Sequence, residues 1–332
     1  MVRNATVVLA LSLLLAGELA PAEESAPAAS PLAVTYHQEN DGPWLNPFSG
    51  TDRYYTHGVA LSVVHHPGWA DSLASALPFG LPAGRAGVAY SLTHQMYTPE
   101  DLTTSSPLPA DRPYAGRAYL AFALQRADSR VSQTAELAVG AVGPVTMAGE
   151  IQKRAHDAWG GREPEGWEQQ VANHPLFQLS VDRRRRFSWG ESVSVDILPA
   201  AGGSIGSVLF EAFLAGELRF GFNLPRAFGR TAEITPRLPI SEPRPGIGVF
   251  GELGGAGRGV IWNRLITGGG GGGEITPEPL VGELGYGGGV TLRLASLALE
   301  ASYRQVLESR RFDLQRGTHR YGSATFSLLL YP

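Results

Sequence analysis

The chain of 332 residues is long enough for one large domain or two ordinary ones, and its lack of cysteine excludes a disulfide framework and a thiolate zinc site. Charged residues make up 17% of it, below the roughly 25% usual in soluble domains, while glycine (42) and proline (24) are abundant. A net charge of −4 argues against a nucleic-acid partner, because phosphate binding needs a basic surface.

The N-terminus has the pattern of a secretory signal. Arg3 supplies a positive start, Ala5 to Ala16 an apolar stretch, and Ala20-Pro21-Ala22 a small-x-small cleavage site. That stretch is shorter than the about 20 residues of a spanning helix. The expected organisation is a signal peptide over 1–22, a mobile Ala/Pro/Ser-rich leader over 23–31, and one β-domain over 32–332.

From Leu32 the pattern has period two. Val34 and Tyr36 alternate with Ala33 and Thr35; Val59, Leu61 and Val63 alternate with Ala60, Ser62 and Val64. Tyr90 and Leu92 alternate with Ala89 and Ser91, and Leu120, Phe122 and Leu124 with Ala121, Ala123 and Gln125. Successive side chains of a strand face opposite sides of its sheet, so one face here is large and apolar and the other small or polar. A soluble sandwich and a membrane barrel both alternate. The long segments fit the 9–11 residues of a tilted membrane strand. Tyr54, Tyr55, Tyr97, Tyr114 and Tyr119 cluster at strand ends, where an aromatic girdle would lie.

The predicted fold is all-β: a twelve-stranded antiparallel transmembrane barrel. Its strands are expected near 32–40, 54–66, 84–97, 112–126, 131–142, 175–186, 190–200, 207–221, 246–263, 280–293, 297–306 and 320–331. An even count leaves both termini periplasmic. The outer loops are then 41–53, 98–111, 143–174, 201–206, 264–279 and 307–319. Gly143 to His174, in the third of them, reads as the one convincing helical stretch. It carries Gln152 and His156 one turn apart. Gly268 to Gly273 reads as a flexible linker, and Arg183 to Arg186 as a solvated charge run at a periplasmic turn.

Polar groups gather at the outer strand ends: Glu39-Asn40-Asp41, Asp52-Arg53-Tyr54-Tyr55-Thr56-His57-Gly58, Gln95-Met96-Tyr97-Thr98-Pro99 and Asp111-Arg112-Pro113-Tyr114-Ala115-Gly116. Gly143-Pro144, Gln152 with His156, and Gly166-Trp167 with Gln170 follow in order. In these segments the chain resembles the LpxR family of outer-membrane lipid A 3′-O-deacylases. The resemblance implies a barrel that hydrolyses the ester of the 3′-acyloxyacyl chain of lipid A in the outer leaflet, with calcium.

By the same resemblance His156 is the general base that activates water, and Asn40, Asp41 and Thr56 form the calcium and oxyanion side, with Asp41 and Asn40 as metal ligands. Arg112 is placed at a substrate phosphate, with a rim salt bridge to Asp111 as the alternative. Glu163 is placed at the substrate, where it would also help hold His156. Gln152 either orients His156 or braces the helix. The chemistry agrees from below. Neutral imidazole is a suitable base near neutral pH, calcium takes oxygen ligands, and the guanidinium fork matches phosphate. The expected partners are lipid A and the surrounding outer-membrane lipids, and the expected state is a monomer. The competing readings are a non-enzymatic barrel (porin or adhesin) and an outer-membrane phospholipase.

Overall fold

The computed structural model describes residues 32–48, 51–77, 84–106, 108–228, 245–268 and 275–331. The expected signal segment and leader, all but the first residue of the glycine run, and Pro332 lie outside the described residues.

Twelve long strands form the wall. They are β1 (Leu32–Asn40), β2 (His57–His65), β3 (Arg85–Tyr97), β4 (Ala115–Ala127), β5 (Val131–Val142), β6 (His174–Arg185), β8 (Val193–Gly206), β9 (Leu209–Phe222), β10 (Gly246–Asn263), β11 (Leu280–Arg293), β12 (Leu297–Glu308) and β13 (His319–Leu330). A four-residue strand, β7 (Phe187–Gly190), extends the hairpin into β8. Neighbours pair antiparallel, β6 pairs past β7 with β8, and β1 pairs with β13, which closes the sheet.

The alternation decides which way each strand faces. Leu61, Leu92, Leu120 and Leu137 point outward and are exposed, whereas Ser62, Ser91, Thr93 and Gln125 are buried inside. An apolar outside around a polar inside is the arrangement lipid requires, and closure leaves no strand edge unpaired in hydrocarbon. Among the described residues no helix is long and apolar enough to cross a membrane; the strands do the crossing. Ion pairs fill the lumen: Arg258–Glu211 at 2.8 Å, Arg219–Asp196 at 3.1 Å and Arg311–Glu308 at 2.6 Å. A cavity of about 50 Å³, lined by Glu39, Tyr55, Gln95 and Arg258 among others, remains between such groups. The lumen is thus packed, which argues against the porin reading.

Leu32 pairs with Leu330, so both ends of the barrel sequence lie at one rim. The loops that carry the polar clusters lie at the other. A helix, α1 (Gly68–Ala76), packs Ala70 and Ala74 against Ala86, Val88 and Leu124 of the outer wall, near the rim of the termini. In the third outer loop a 3-10 turn (Pro144–Thr146) precedes helix α2 (Ala148–Trp159).

The structure corrects four expectations. Residues 201–206 are not a loop but the end of β8, and the turn shrinks to Ser207-Val208. Its small residues Ala200 to Gly203 carry no large apolar alternation to read. The loop-3 stretch is not the one helix, because α1 rests on two buried alanines, too short a signal to stand out. Arg184 is only 1% exposed, beside Asp182 and donating to the Phe228 carbonyl, so the arginine run is solvated only in part. Tyr54, Tyr55, Tyr97 and Tyr114 are all buried at 2–4% exposure and form no girdle. The outward aromatics of the strands instead include Tyr36, Tyr90, Phe177, Phe220, Tyr286 and Phe326.

Candidate active site

Loop 1 (41–56) begins where β1 ends. Asn40 closes it from both sides: its Oδ1 accepts from the Gly42 amide at 2.7 Å, and its Nδ2 donates to the Thr56 carbonyl at 3.1 Å. This clamp directs Asp41 inward, where it is fully buried. Asp41 Oδ2 accepts from the Arg53 amide at 2.8 Å and from Thr51 Oγ1 at 3.2 Å. Its other oxygen, Oδ1, is buried with no hydrogen-bond partner. Burial pushes the Asp41 carboxyl well above the usual carboxylate range, the Arg53 amide opposes this, and the nearby Asp52 charge adds to it.

Tyr54 turns the loop back. Its φ of 64° lies in the left-handed region, which costs a bulky residue about 1 kcal/mol or more. Packing against Ile266, Ile275 and Phe312 holds it there. The Thr56 and Thr98 hydroxyls then meet at 2.7 Å, and Thr98 Oγ1 also donates to the Asp52 carbonyl at 3.1 Å.

Loop 3 comes over this rim on a glycine. A Cβ at Gly116 of β4 would lie 2.0 Å from Thr146 Oγ1 and 2.6 Å from the Ala148 side chain, so only glycine lets the start of α2 sit on the wall there. Gln152, facing inward from α2, accepts from Trp167 Nε1 at 2.8 Å and is 2% exposed. Trp167 in turn packs on Tyr114. At the far end Trp159 stacks on Trp44 of loop 1 with ring centroids 6.4 Å apart. Helix α2 therefore runs outside the rim from β4 toward the end of β1.

His156 lies on its last turn. Gly160, in the left-handed region (φ 76°), ends the helix, and Gly161 passes against the imidazole. The chain then returns the Arg162 carbonyl to Nδ1, which donates to it. Nε2 stands 2.9 Å from Asp52 Oδ2. Burial raises the Asp52 pKa, and the adjoining His156 opposes that rise. One continuous set of contacts thus joins His156 to Asp52, Asp52 through the next residue's amide to Asp41, and Asp52 through Thr98 to Thr56.

His156, Asn40, Asp41 and Thr56 are therefore brought together. Gln152 braces Trp167 and makes no hydrogen bond to His156. Glu163 faces Lys153 at 3.6 Å on the exposed side, and the carboxylate on His156 is that of Asp52. Arg112 is the clearest correction. At 2% exposure it stacks over the Tyr97 ring at 4.5 Å and donates to the Leu265 carbonyl at 3.1 Å inside the rim. Burial pulls its pKa down to about 10. A guanidinium so enclosed cannot reach a lipid phosphate, and Asp111 is occupied by the Glu100 and Arg112 amides. Asp52 and Thr98 stand within the sequence motifs, but nothing in their spacing gives either a role. The pair Gly160-Gly161 after His156 was the available signal for a chain folded back over that ring.

Among the described residues no three His, Asp or Glu side chains are grouped to hold a metal. A calcium ion would accordingly rest on Asp41 Oδ1, with Asp52 near and uncharged oxygens and water completing the shell. The unpartnered, buried carboxylate oxygen fits such an ion.

The model of the family described as outer membrane protein LpxR matches residues 7–330. Among solved structures, LpxR from Salmonella typhimurium superposes with a TM-score of 0.73 at 17% identity, over 90% of this chain and 100% of that one. The β domain of the Bordetella autotransporter Brka is more distant, with a TM-score of 0.44 at 15% identity over 92% of this chain and 99% of that one. So is the translocator domain of NalP from Neisseria meningitidis, at 0.44 and 9% identity over 91% and 88%. No curated protein sequence matches significantly. The structural likeness speaks for the fold and the family match for the lineage. The chain is an outer-membrane β-barrel of Gram-negative type and belongs to the LpxR family.

Proposed function

We propose that the protein hydrolyses the ester holding the 3′-acyloxyacyl chain of lipid A, with His156 as general base at a calcium-dependent site. The observation that carries this reading is the convergence of the His156–Asp52 pair with a buried Asp41 that has one oxygen unpartnered.

The Arg162 carbonyl fixes Nδ1 as the donor, which leaves Nε2 to accept a proton. Water must enter between Nε2 and Asp52 to be activated. The two side chains keep 12% and 27% exposure, enough for water to reach the pair. Asp52, which faces this same nitrogen, then attracts the imidazolium once Nε2 has taken the proton. When bound at Asp41, calcium supplies positive charge for the developing oxyanion. Asn40 we read as the clamp that presents Asp41, its amide being engaged by Gly42 and Thr56. Thr56, through Thr98, steadies the Asp52 turn.

The test sets lipid A and a phospholipid side by side before the purified barrel, with calcium and with a chelator. Calcium-dependent release of the 3′ chain supports the reading. Release from the phospholipid alone replaces it with a phospholipase, and release from neither leaves a non-enzymatic barrel.

A further inference from the structure

Helix α2 presents three faces. Ala148, Gly149 and Gln152 are buried against the rim. Glu150, Lys153 and Asp157 form a charged, exposed face. On the third face Met147, Ile151 and Trp159 recur at multiples of four residues and leave an exposed apolar stripe along the helix. Trp159 is 84% exposed, and Trp44, on which it stacks, is 74% exposed. Val145 before the helix and Phe48 in loop 1 are exposed too and extend the patch at both ends. A contiguous apolar patch of this kind marks a surface that meets something other than water.

The contacts fix which way the patch faces. On the charged side Lys153 meets Glu163 at 3.6 Å, in the segment that follows the helix. Two residues on, the Glu165 amide donates to the Leu102 carbonyl of the second outer loop at 2.9 Å. The charged face is therefore turned toward the outer loops, and the apolar stripe away from them. The start of α2 stands on the outside of the wall. His94, on the outward face of β3 with exposed Tyr90 and Leu92, donates from Nε2 to the Thr146 carbonyl at 3.1 Å. Loop 1 drapes over the outside as well. The hydroxyl of outward-facing Tyr303 in β12 donates to the Leu45 carbonyl at 2.8 Å, and Gly322 of β13 leaves the space which that carbonyl fills. Phe48 lies by the Arg320 guanidinium of the same strand, 5.6 Å from its ring centre. The patch thus forms a collar outside the barrel from β4 round to β12. It continues the apolar, lipid-facing wall of Tyr36, Leu92, Leu120 and Phe326.

We propose that this collar is a membrane-insertion surface: the Met147-Ile151-Trp159 stripe of α2, with Trp44 and Phe48 of loop 1, seats among the acyl chains of the outer leaflet. The charged face of α2 then lies at the level of the headgroups, the arrangement of an interfacial helix. Two tryptophans suit that depth, because each has an apolar ring body and one N–H for the headgroup zone. Seating the collar brings the edge where His156 faces Asp52 to the lipid surface. The inference stands on the faces of α2 and the drape of loop 1, and holds whichever ester the site cleaves.

The chain has no cysteine, so a cysteine introduced by substitution takes a label at one place only. Ile151→Cys and Lys153→Cys, each carrying a nitroxide, are placed as full-length barrels in phosphatidylcholine vesicles. Power-saturation EPR then compares collisions with oxygen, which concentrates among acyl chains, and with a water-soluble nickel chelate. The ratio of oxygen to nickel collisions is expected to be several-fold higher at 151 than at 153. A label at 151 as open to the chelate as the one at 153, or shielded from both reagents, overturns the proposal. Should Ile151→Cys fail to fold, Ala158→Cys, exposed two turns further along the same side, is read in the same way. A second measurement uses phosphatidylcholine with brominated chains. It should quench the fluorescence of the wild type more than that of the Trp44→Phe, Trp159→Phe chain, and equal quenching overturns the insertion. Neither measurement needs turnover. A barrel that cleaves no ester therefore leaves the insertion result standing, and a collar that stays in water leaves the ester-hydrolase reading untouched.

Discussion

His156 shows how little of a site one residue carries by itself. Its position in α2 was legible from sequence, as was Asp41 after Asn40, because both fall in short polar motifs at strand ends. Its carboxylate partner was not. Glu163 lies closer along the chain, yet Asp52 reaches the ring from another loop, at 2.9 Å from Nε2. Spacing within one loop cannot reveal a contact made between two. Asp52→Asn should lower kcat about 10- to 100-fold with KM nearly unchanged, since it removes support for the imidazolium and leaves the lipid contacts in place. An equal fall in kcat/KM carried by KM would instead place Asp52 in substrate binding. Asp41 gives a second test. Burial raises its pKa, so the folded chain without calcium keeps a proton that the unfolded chain loses above the ordinary 3.8. Stability in the chelated protein therefore falls as pH rises from about 4 through the raised pKa, then levels. Asp41→Asn should flatten that stretch of the thermal midpoint against pH, and should abolish the upward shift that calcium gives the wild type at neutral pH.

At the scale of elements, period-two alternation placed the long strands because lipid outside and ion pairs inside impose it residue by residue. It failed where side chains are small, as at the end of β8, and where a helix is two alanines deep, as in α1. The tyrosines at strand ends misled for a related reason. An aromatic there suits either an outer girdle or a rim packed inward, and Tyr55 donates to Glu39 within the lumen. What seats α2 is a single glycine. Gly116→Val would drive side-chain atoms into Thr146 and Ala148. That should displace the loop and cut activity more than tenfold, since small misplacements of a catalytic group are costly. The heat-resistant β-signal of the barrel should remain, and a protease should now cleave within residues 144–162. A variant with full activity would show that α2 need not sit on the wall.

At the scale of the whole molecule, the wall, the charged lumen and the outer rim divide the work. The lumen is filled by pairs such as Arg311–Glu308 and Arg258–Glu211, and Arg112 belongs to that filling. Its place beside Asp111 in a rim motif suggested a phosphate contact, but its side chain turns into the barrel, which no pattern of neighbours along the chain discloses. Arg112→Leu should therefore leave the ratio of rates on phosphorylated and dephosphorylated lipid A unchanged, whatever it does to stability; a ratio that collapses would return Arg112 to the substrate. The proposed site lies on the outside of the barrel, between α2 and the wall, the side from which a lipid of the outer leaflet would arrive. The most direct measurement of that account is mass spectrometry of lipid A from Gram-negative cells expressing the wild type or His156→Ala. The wild type should yield lipid A short by its 3′-acyloxyacyl chain and His156→Ala should not. Lipid A left intact by a folded wild type supplied with calcium, or trimmed equally by His156→Ala, would contradict it.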